Sequence, residues 1–416
     1  MFKFGGNSLV VVTSADFLKK EKWNFASKNA LWQYDKILCN YFYYRKKEMY
    51  NIRTTYNIRD DVLIIADSGG LQLAADLQDE VVKPLDPVDI VRWQGESGIN
   101  VGFVLDVPTK LEKRDLGWKD FRTRAMLTRD YSLRGLDVRD KEYPNLELYG
   151  ILHGLPGEEM EEWWDIMGEV RDRIDGWCYG GTPLDSAGVL FRLYATIFLA
   201  ERGVKKLHHL GLGSIRYMSI FDYIAPLFER LTFDATSSLF GGKMRRYMIP
   251  GVMSITVNGV DKNVPISNQA VVLGDEYFLE EGKDAPLPCS CPVCQGSTIR
   301  ELVNAEDWSA RYTSHDAFLY CAAEDFLMKI RRKSRKEYRE VVLAIFSNDS
   351  MVKGSLDFID LAMEKGLEAA FKEFADLFLK NNLKFGRSNV GFGFIDETYN
   401  SGLDTLVEAL GEDKNK

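Results

Sequence analysis

The sequence predicts an α/β protein built on a (β/α)8 barrel, followed by a smaller subdomain and a helical C-terminal region. Apolar runs of about four to six residues recur along the chain, and each is closed by a polar residue or a glycine; they cover residues 8–12, 62–67, 101–106, 148–153, 176–181, 206–211 and 231–234. Short, continuous apolar runs are typical of parallel strands buried on both faces. Amphipathic stretches lie between them, so strands and helices alternate.

Helical periodicity is clearest in residues 158–173 and 189–202. The first stretch spaces its apolar residues at three- and four-residue steps, as one face of a helix requires: Met160, Trp163, Trp164, Met167 and Val170. At least seven strands over about 270 residues fit a closed barrel better than an open doubly wound sheet. That alternative would favour a Gly-x-Gly-x-x-Gly motif after the first strand, and the sequence has none there.

Polar residues close several of the predicted strands. They are Asp67, Asp106, His153, the pair Gly180 and Gly181, and Asp234. A single aspartate at a strand end is usually a helix cap or a turn former. Three aspartates and a histidine at equivalent ends of different strands instead predict a shared catalytic mouth, because the carboxyl ends of barrel strands form the active face. For His153, packing at the strand end is an equally good alternative.

Charge and composition restrict where the protein works and what it binds. The 53 basic and 62 acidic residues give the 416-residue chain a net charge of −9. No apolar run is long enough for a membrane span, and the first residues do not resemble a secretory signal, so we expect a cytoplasmic protein without a membrane partner. Because the chain is acidic overall, a polyanionic partner would need a local basic surface. The candidates are Lys243, Arg245 and Arg246, and the run 329–339 with Arg331 and Arg332; solvated helix faces are the alternative.

Three of the six cysteines lie close together, at Cys289, Cys291 and Cys294, and His315 follows them. Thiolates at this spacing can bind one tetrahedral ion, and a distant histidine can complete the site. We predict Zn²⁺ in a closed, structural role; three unrelated buried thiols are the alternative, and Cys321 is an alternative ligand. The predicted organisation is a TIM barrel over residues 1–285, a structural zinc-binding subdomain over 286–337, and C-terminal helices over 338–416 that pack on the barrel.

Three motifs in this order resemble the tRNA-guanine transglycosylase superfamily: residues 67–72 (Asp-Ser-Gly-Gly-Leu-Gln), Phe233-Asp234, and the Cys-x-Cys-x-x-Cys group with its distant His. The resemblance implies that Asp234 is the nucleophile and Asp67 the general acid and base, with Ser68 beside it. It also implies that Asp106 binds the amine and ring N–H of the base. The backbone of Gly180 and Gly181 would face that base.

Two departures from the tRNA-acting bacterial members direct the functional prediction. They have Gln where this chain has His153, and arginines in the segment after the nucleophile where this chain has Ala-Thr-Ser-Ser. The segment 105–109 (Leu-Asp-Val-Pro-Thr) resembles the archaeal and DNA-modifying branches, whose incoming base is 7-cyano-7-deazaguanine. We therefore predict exchange of guanine in DNA for this 7-deazaguanine through a covalent aspartyl intermediate, with an auxiliary DNA-opening protein as a candidate partner.

The alternatives come from the same and from other classes. A tRNA-guanine transglycosylase of the queuine or archaeosine type would run the same chemistry on tRNA. A non-catalytic subunit would be expected to lose its nucleophile, whereas Asp234 and Asp67 are both present. An unrelated barrel hydrolase would release guanine without exchanging it. The sequence makes no prediction of oligomeric state.

Overall fold

Eight parallel strands close into a barrel in the computed structural model of the chain. The structure describes residues 3–4, 8–44, 51–70, 85–108, 117–180, 189–266, 270–272, 284, 286–287 and 289–374. The barrel strands are β1 (Leu9–Val12), β2 (Lys36–Asn40), β3 (Leu63–Asp67), β4 (Val101–Phe103), β5 (Glu147–Leu152), β6 (Gly176–Tyr179), β7 (Lys206–His209) and β8 (Arg230–Ala235). Strand β8 pairs with β1, which places Asp234 beside Val10 and closes the ring. The predicted (β/α)8 barrel is confirmed.

Two details of the strands differ from the prediction. Strand β2 was not predicted, because its apolar run is only Ile37-Leu38-Cys39, shorter than the runs that mark the other strands. Strand β4 ends at Phe103, so Asp106 lies in the loop beyond the strand and not at its last position. Both differences concern the rim of the barrel, where the active face of such a fold is formed.

Alternating side chains along the strands fill two cores. Val10, Leu38, Ile65, Phe103 and Cys178 belong to a cluster inside the barrel. Their sequence neighbours, such as Leu9, Val11 and Ala66, belong to the larger cluster between the strands and the surrounding helices. Because side chains alternate across a strand, a strand buried on both faces contributes to both clusters. This double burial explains the continuous apolar runs of the sequence.

The helices of the barrel half follow the strands. They are α1 (Ala15–Leu18), α2 (Tyr41–Tyr44), α3 (Ile52–Thr55), α4 (Pro87–Glu96), α5 (Gly117–Glu142), α6 (Glu158–Ile166), α7 (Gly168–Arg171), α8 (Val189–Glu201) and α9 (Ile215–Ile224). The stretch 158–173, predicted as one helix, is interrupted at Met167, which ends α6 and precedes α7. Helix α9 begins at a Ser214 cap, whose hydroxyl accepts the N–H of Tyr217.

The described residues of the C-terminal half form two small antiparallel sheets and six helices. Helix α10 (Ser237–Lys243) follows β8, and the strands are β9 (Arg246–Met248), β10 (Met253–Val257), β11 (Val260–Val264) and β12 (Ala270–Val272). Strand β9 pairs with β12, and β10 with β11. The remaining helices are α11 (Ile299–Val303), α12 (Trp308–Lys333), α13 (Arg335–Ile345), α14 (Ser350–Lys365) and α15 (Leu367–Glu373).

Helix α12 connects the C-terminal half to the barrel. Its residue Glu324 accepts the backbone N–H groups of Ser8 and Leu9 at 2.6 and 2.9 Å, where β1 begins. Nine residues earlier, His315 contacts the carbonyl of Met248 in β9. The helix therefore runs from the small sheet of β9 and β12 to the amino-terminal rim of the barrel. None of the helices in the described ranges combines the length and apolar character of a membrane span.

Candidate active site and metal centre

Three carboxylates meet at the carboxyl end of the barrel. Asp67 is the last residue of β3, Asp234 is the fifth residue of β8, and Asp106 follows β4. The eight barrel strands are parallel, so these carboxyl ends lie at one rim. Burial is the main cause of the raised pKa of Asp67, and the negative charges of Asp106 and Asp234 raise it further. Gly70 brings the chain against Asp106: a Cβ atom at this glycine would lie 2.0 Å from Asp106 Oδ1. Residues more than 160 positions apart thus converge, as the resemblance requires.

Asp67 has a strongly raised pKa. Burial raises its pKa to about 7, and the two neighbouring carboxylates add to that shift. Two hydrogen bonds oppose it: the Gly69 N–H donates to Oδ1 at 3.2 Å, and the Asn40 amide donates to Oδ2. A carboxyl group with a pKa near neutrality can both give and take a proton at physiological pH, which suits a general acid and base.

Asn40 was missed by the sequence reasoning. It ends β2, the strand that was not predicted, and the register pairs it directly with Asp67. Its Oδ1 accepts the N–H of Phe42 at 2.9 Å, so the side chain is held at both ends. The available signal was its position: an asparagine closing an apolar run, as Asp67 closes its own.

Asp234 is held by the turn that follows β7. The N–H of Gly211 donates to Asp234 Oδ1 at 2.6 Å, and the N–H of Leu212 donates to the Asp234 carbonyl at 3.0 Å. Only 5% of the residue is exposed. One carboxylate oxygen is therefore anchored by backbone, which fixes the direction in which the other oxygen points.

His153 and Asp106 form a direct pair. His153 Nε2 lies 2.7 Å from Asp106 Oδ2, and the imidazole is 2% exposed. The ring packs edge-on against Trp163, with centroids 4.9 Å apart. Gly180 presses on its other side, since a Cβ atom there would lie 2.6 Å from His153 Cε1. The His153 ring is thus packed on its surroundings, and its Nε2 is hydrogen-bonded to the Asp106 carboxylate.

The other predicted base contacts are Ser68, Gly180 and Gly181. Ser68 is buried, and among the described residues its hydroxyl has no hydrogen-bond partner, so it can serve a ligand. Gly180 donates its N–H to the Leu152 carbonyl at 3.0 Å. Gly181 lies outside the described residues.

His208 is a second residue that sequence reasoning left without a role. Strand alternation predicts that at most one of His208 and His209 faces the barrel interior. His208 is the interior one: its Nε2 lies 3.5 Å from Asp234 Oδ1, and its ring is 5.0 Å from that of Phe103. His209 bonds to the hydroxyl of Thr196 in α8 at 2.8 Å, and burial lowers its pKa well below the usual value.

Four side chains form a candidate metal centre: Cys289, Cys291, Cys294 and His315, whose ligand atoms all lie within 4.8 Å of one another. His315 Nδ1 is 3.3 Å from the sulfurs of Cys291 and Cys294. Its other nitrogen donates to the Met248 carbonyl at 2.8 Å, which fixes the tautomer and aims Nδ1 at the sulfurs. Three sulfurs and one nitrogen are the donor set of closed, structural Zn²⁺ sites. Cys321, the alternative ligand, is buried in α12 and lies outside this group.

The predicted basic residues fall into two separate groups. Lys243 is the last residue of α10, and Arg245 lies two residues beyond it; both are exposed. They are one short helix away from Asp234, and the Arg245 guanidinium covers the Trp308 ring at 4.7 Å. Arg331 donates instead to the Asp222 carbonyl at 2.7 Å. It lies about 24 Å along α12 from His315 at the rise of an α-helix. Arg331 and Arg332 are thus beyond Glu324, at the opposite rim from the carboxylates.

Comparison with known proteins finds relatives of low sequence identity. No family model matches the chain. The chain is 23% identical over 277 residues to the tRNA-guanine(15) transglycosylase of Methanocaldococcus jannaschii, which covers 65% of this chain and 37% of that protein. It is 23% identical over 251 residues to the enzyme of the same name from Methanococcus aeolicus, covering 59% and 33%. The chain spans about a third of the length of these curated relatives. These matches support the tRNA-guanine transglycosylase superfamily as the family that this chain resembles.

Proposed function

We propose that the protein exchanges guanine in a nucleic acid for another base through a covalent aspartyl–nucleotide intermediate, and that the nucleic acid is DNA and the incoming base 7-cyano-7-deazaguanine. The observation that carries the exchange chemistry is the meeting of three carboxylates at the barrel mouth, one of them with a pKa near 7. Retaining glycosidic chemistry needs one carboxylate as nucleophile and a second group that manages the proton.

The first half-reaction removes guanine. Asp234 forms a bond from its carboxylate oxygen to C1′ as the bond from C1′ to guanine N9 breaks. The oxocarbenium-like charge that develops on the sugar is stabilised by the same carboxylate. Asp67, protonated near neutral pH because burial raises its pKa to about 7, gives its proton to the departing guanine. The products are free guanine, an aspartyl ester at C1′ and an ionised Asp67.

The second half-reaction restores the protein. Ionised Asp67 takes the N9 proton of the incoming base, and that N9 bonds to C1′ as the ester to Asp234 breaks. Asp67 is again protonated, and Asp234 is again a carboxylate. One proton moves on and off the same group, which is why a pKa close to the working pH favours this residue for both steps.

Recognition of the base rests on the pair of Asp106 and His153. His153 engages Asp106 Oδ2 at 2.7 Å, which leaves Oδ1, the atom beside Gly70, to accept the amine and ring N–H of guanine. Acceptors aimed at these two donors discriminate against bases that lack them, because unpaired buried acceptors are costly. The Ser68 hydroxyl, which has no hydrogen-bond partner among the described residues, and the Gly180 backbone are proposed to contact the base as well, with Gly181 added from the resemblance alone.

The nucleic-acid backbone is proposed to contact Lys243, Arg245 and Arg246, which lie at and just beyond the end of α10, the helix next to Asp234. Phosphate contacts fix the register of a strand, and base contacts give specificity. The target nucleotide must leave its stack to reach the mouth, at a cost of a few kcal/mol. Arg331 and Arg332, predicted as phosphate contacts, lie too far from the mouth to join the same contact surface, so we assign the backbone to the first group.

DNA is preferred on two features of the sequence. Segment 105–109 resembles the archaeal and DNA-modifying branches, and the residues after Asp234 lack the arginines of tRNA-acting bacterial members. A tRNA substrate is the second candidate, because the relatives with 23% identity are named tRNA-guanine(15) transglycosylases. We further propose that Cys289, Cys291, Cys294 and His315 hold a structural Zn²⁺.

The test is nucleoside mass spectrometry after incubation of the protein with 7-cyano-7-deazaguanine and, in parallel, duplex DNA, single-stranded DNA and tRNA. The 2′-deoxynucleoside of 7-cyano-7-deazaguanine in either DNA sample, with no corresponding ribonucleoside in tRNA, supports the proposal. Modification of single-stranded but not duplex DNA would indicate a need for a duplex-opening partner. Modification of tRNA alone would replace DNA by the second candidate. Release of guanine without insertion would contradict the exchange.

A further inference from the structure

His208 lies directly behind Asp234, and the exchange chemistry above does not use it. Its imidazole is fully buried inside the barrel. Nδ1 is 2.9 Å from the hydroxyl oxygen of Thr232, and Nε2 is 3.5 Å from Asp234 Oδ1. Within the described part of the chain, Nε2 has no hydrogen-bond partner. A fully buried nitrogen therefore faces the proposed nucleophile at slightly more than hydrogen-bond distance.

This arrangement needs a physical reason, because an unsatisfied polar atom in a protein interior is costly. Asp234 Oδ1 is an ionisable acceptor on the neighbouring strand, since the register places Thr232 opposite His208 and Asp234 two residues further along β8. Hydrogen bonds of catalytic groups are often long in the free enzyme and shorten when substrate is bound. A closure of a few tenths of an ångström would satisfy Nε2.

We propose that His208 is a positioning residue for the nucleophile. The Thr232 hydroxyl donates to Nδ1, which selects the tautomer with hydrogen on Nε2, and Nε2–H donates to Asp234 Oδ1. The same oxygen already accepts the Gly211 N–H at 2.6 Å. With Oδ1 held by two donors, Oδ2 is the oxygen that bonds to C1′. This inference rests on the function proposed above.

The hydrogen bond acts on both half-reactions without moving a proton. It orients the carboxylate for attack, and it stabilises the charge that returns to Asp234 when the ester breaks, which makes the carboxylate a better leaving group. The base, in contrast, is proposed to bind Asp106 and His153, which follow β4 and β5. Loss of the His208 donor should therefore lower kcat and leave the KM for the incoming base unchanged.

The first experiment compares His208→Phe with His208→Gln in the full-length protein, using exchange of labelled guanine into the nucleic acid that the wild type modifies. Phe keeps a planar ring but no donor, and we expect kcat to fall about 10- to 100-fold, the loss typical of one charge-assisted hydrogen bond. Gln can place an amide N–H near the position of Nε2 and should recover much of the rate. His209→Gln is the matched control: it changes an equally buried histidine on the same strand that bonds to Thr196, and it should stay within about twofold of the wild type.

A second measurement does not depend on activity. The ¹⁵N shifts of His208 in the free protein should show the tautomer with hydrogen on Nε2, and Thr232→Val should weaken that preference while the ring stays in place. A neutral tautomer with hydrogen on Nδ1 would overturn the proposal, as would an undiminished kcat in His208→Phe or equal losses in the Phe and Gln variants. If the wild type exchanges no base, the proposed function fails; if it does and His208→Phe equals it, the His208 role alone fails.

Discussion

The raised pKa of Asp67 predicts that the fold loses stability at this residue as the pH rises toward neutrality. Asp67→Asn removes the ionisable group and keeps the shape of the side chain. Burial raises the pKa of Asp67 from 3.8 to about 7, so the folded protein holds this proton more tightly than the unfolded chain. A group with a raised folded pKa contributes stability that is complete below its unfolded pKa and is lost as the pH rises through its folded pKa. For Asp67 this window runs from about 4 to about 7.

The size of the effect follows from the two pKa values. Between pH 5 and pH 8.5 the loss amounts to about two pH units, or about 3 kcal/mol at about 1.4 kcal/mol per unit. Asn has one acceptor for the two donors at this site, Gly69 N–H and the Asn40 amide, so the variant also loses about 1 kcal/mol at every pH. This loss is the same at both pH values, so it cancels when the stability of the variant relative to the wild type at pH 5 is compared with that at pH 8.5. Asp67→Asn should therefore gain about 3 kcal/mol relative to the wild type on going from pH 5 to pH 8.5.

The assay is urea unfolding of both proteins at the two pH values, with Asp60→Asn as a control at an exposed aspartate. The control should show little change in its stability difference between pH 5 and pH 8.5. An Asp67→Asn protein that is destabilised equally at both pH values would refute the reasoning, because it would show that Asp67 has the same pKa in the folded and unfolded chains. The variant should at the same time lose base exchange, since it cannot transfer the proton.

Three further predictions concern other parts of the molecule. Asp234→Ala should abolish the covalent adduct while circular dichroism and the unfolding midpoint stay close to those of the wild type; an adduct formed at the full rate would remove Asp234 from the mechanism. Cys291→Ala should lose zinc on elemental analysis and fall in thermal stability, because metal binding contributes to folding; unchanged metal content would count against the site. Glu324, buried at the base of the barrel, has its pKa raised to about 8 by burial and by the nearby Asp222. By the same sign argument, the stability of Glu324→Gln relative to the wild type should rise between pH 6 and pH 9. The same free-energy difference between the two proteins in urea unfolding at both pH values would contradict this.

The sequence predicted features that depend on local pattern. Strands that are buried on both faces produce continuous apolar runs, so seven of the eight strands could be located. The Cys289–Cys294 spacing and His315 predicted the metal group, because two of its three intervals are short and set by a single turn. Strand β2 escaped because its run is only three residues long.

Contacts between distant residues could not be predicted in the same way. Three contacts join residues on, or just after, different strands: His153 with Asp106, Asn40 with Asp67, and His208 with Asp234. Each pair depends on register and on side-chain direction, which barrel closure fixes and local periodicity does not reveal. His153 shows the limit most clearly, since packing and binding were equal alternatives, and the structure combines a packed ring with a nitrogen committed to Asp106.

The central claim is that Asp234 bonds covalently to the nucleotide. The most direct measurement is mass spectrometry of the protein quenched by acid during reaction with guanine-containing DNA or tRNA, followed by peptide mapping. The account predicts a nucleotide adduct on the peptide that contains Asp234, and its disappearance when excess guanine or deazaguanine is added before the quench. Base exchange without any such adduct, or an adduct mapped to Asp67 or Asp106, would contradict it.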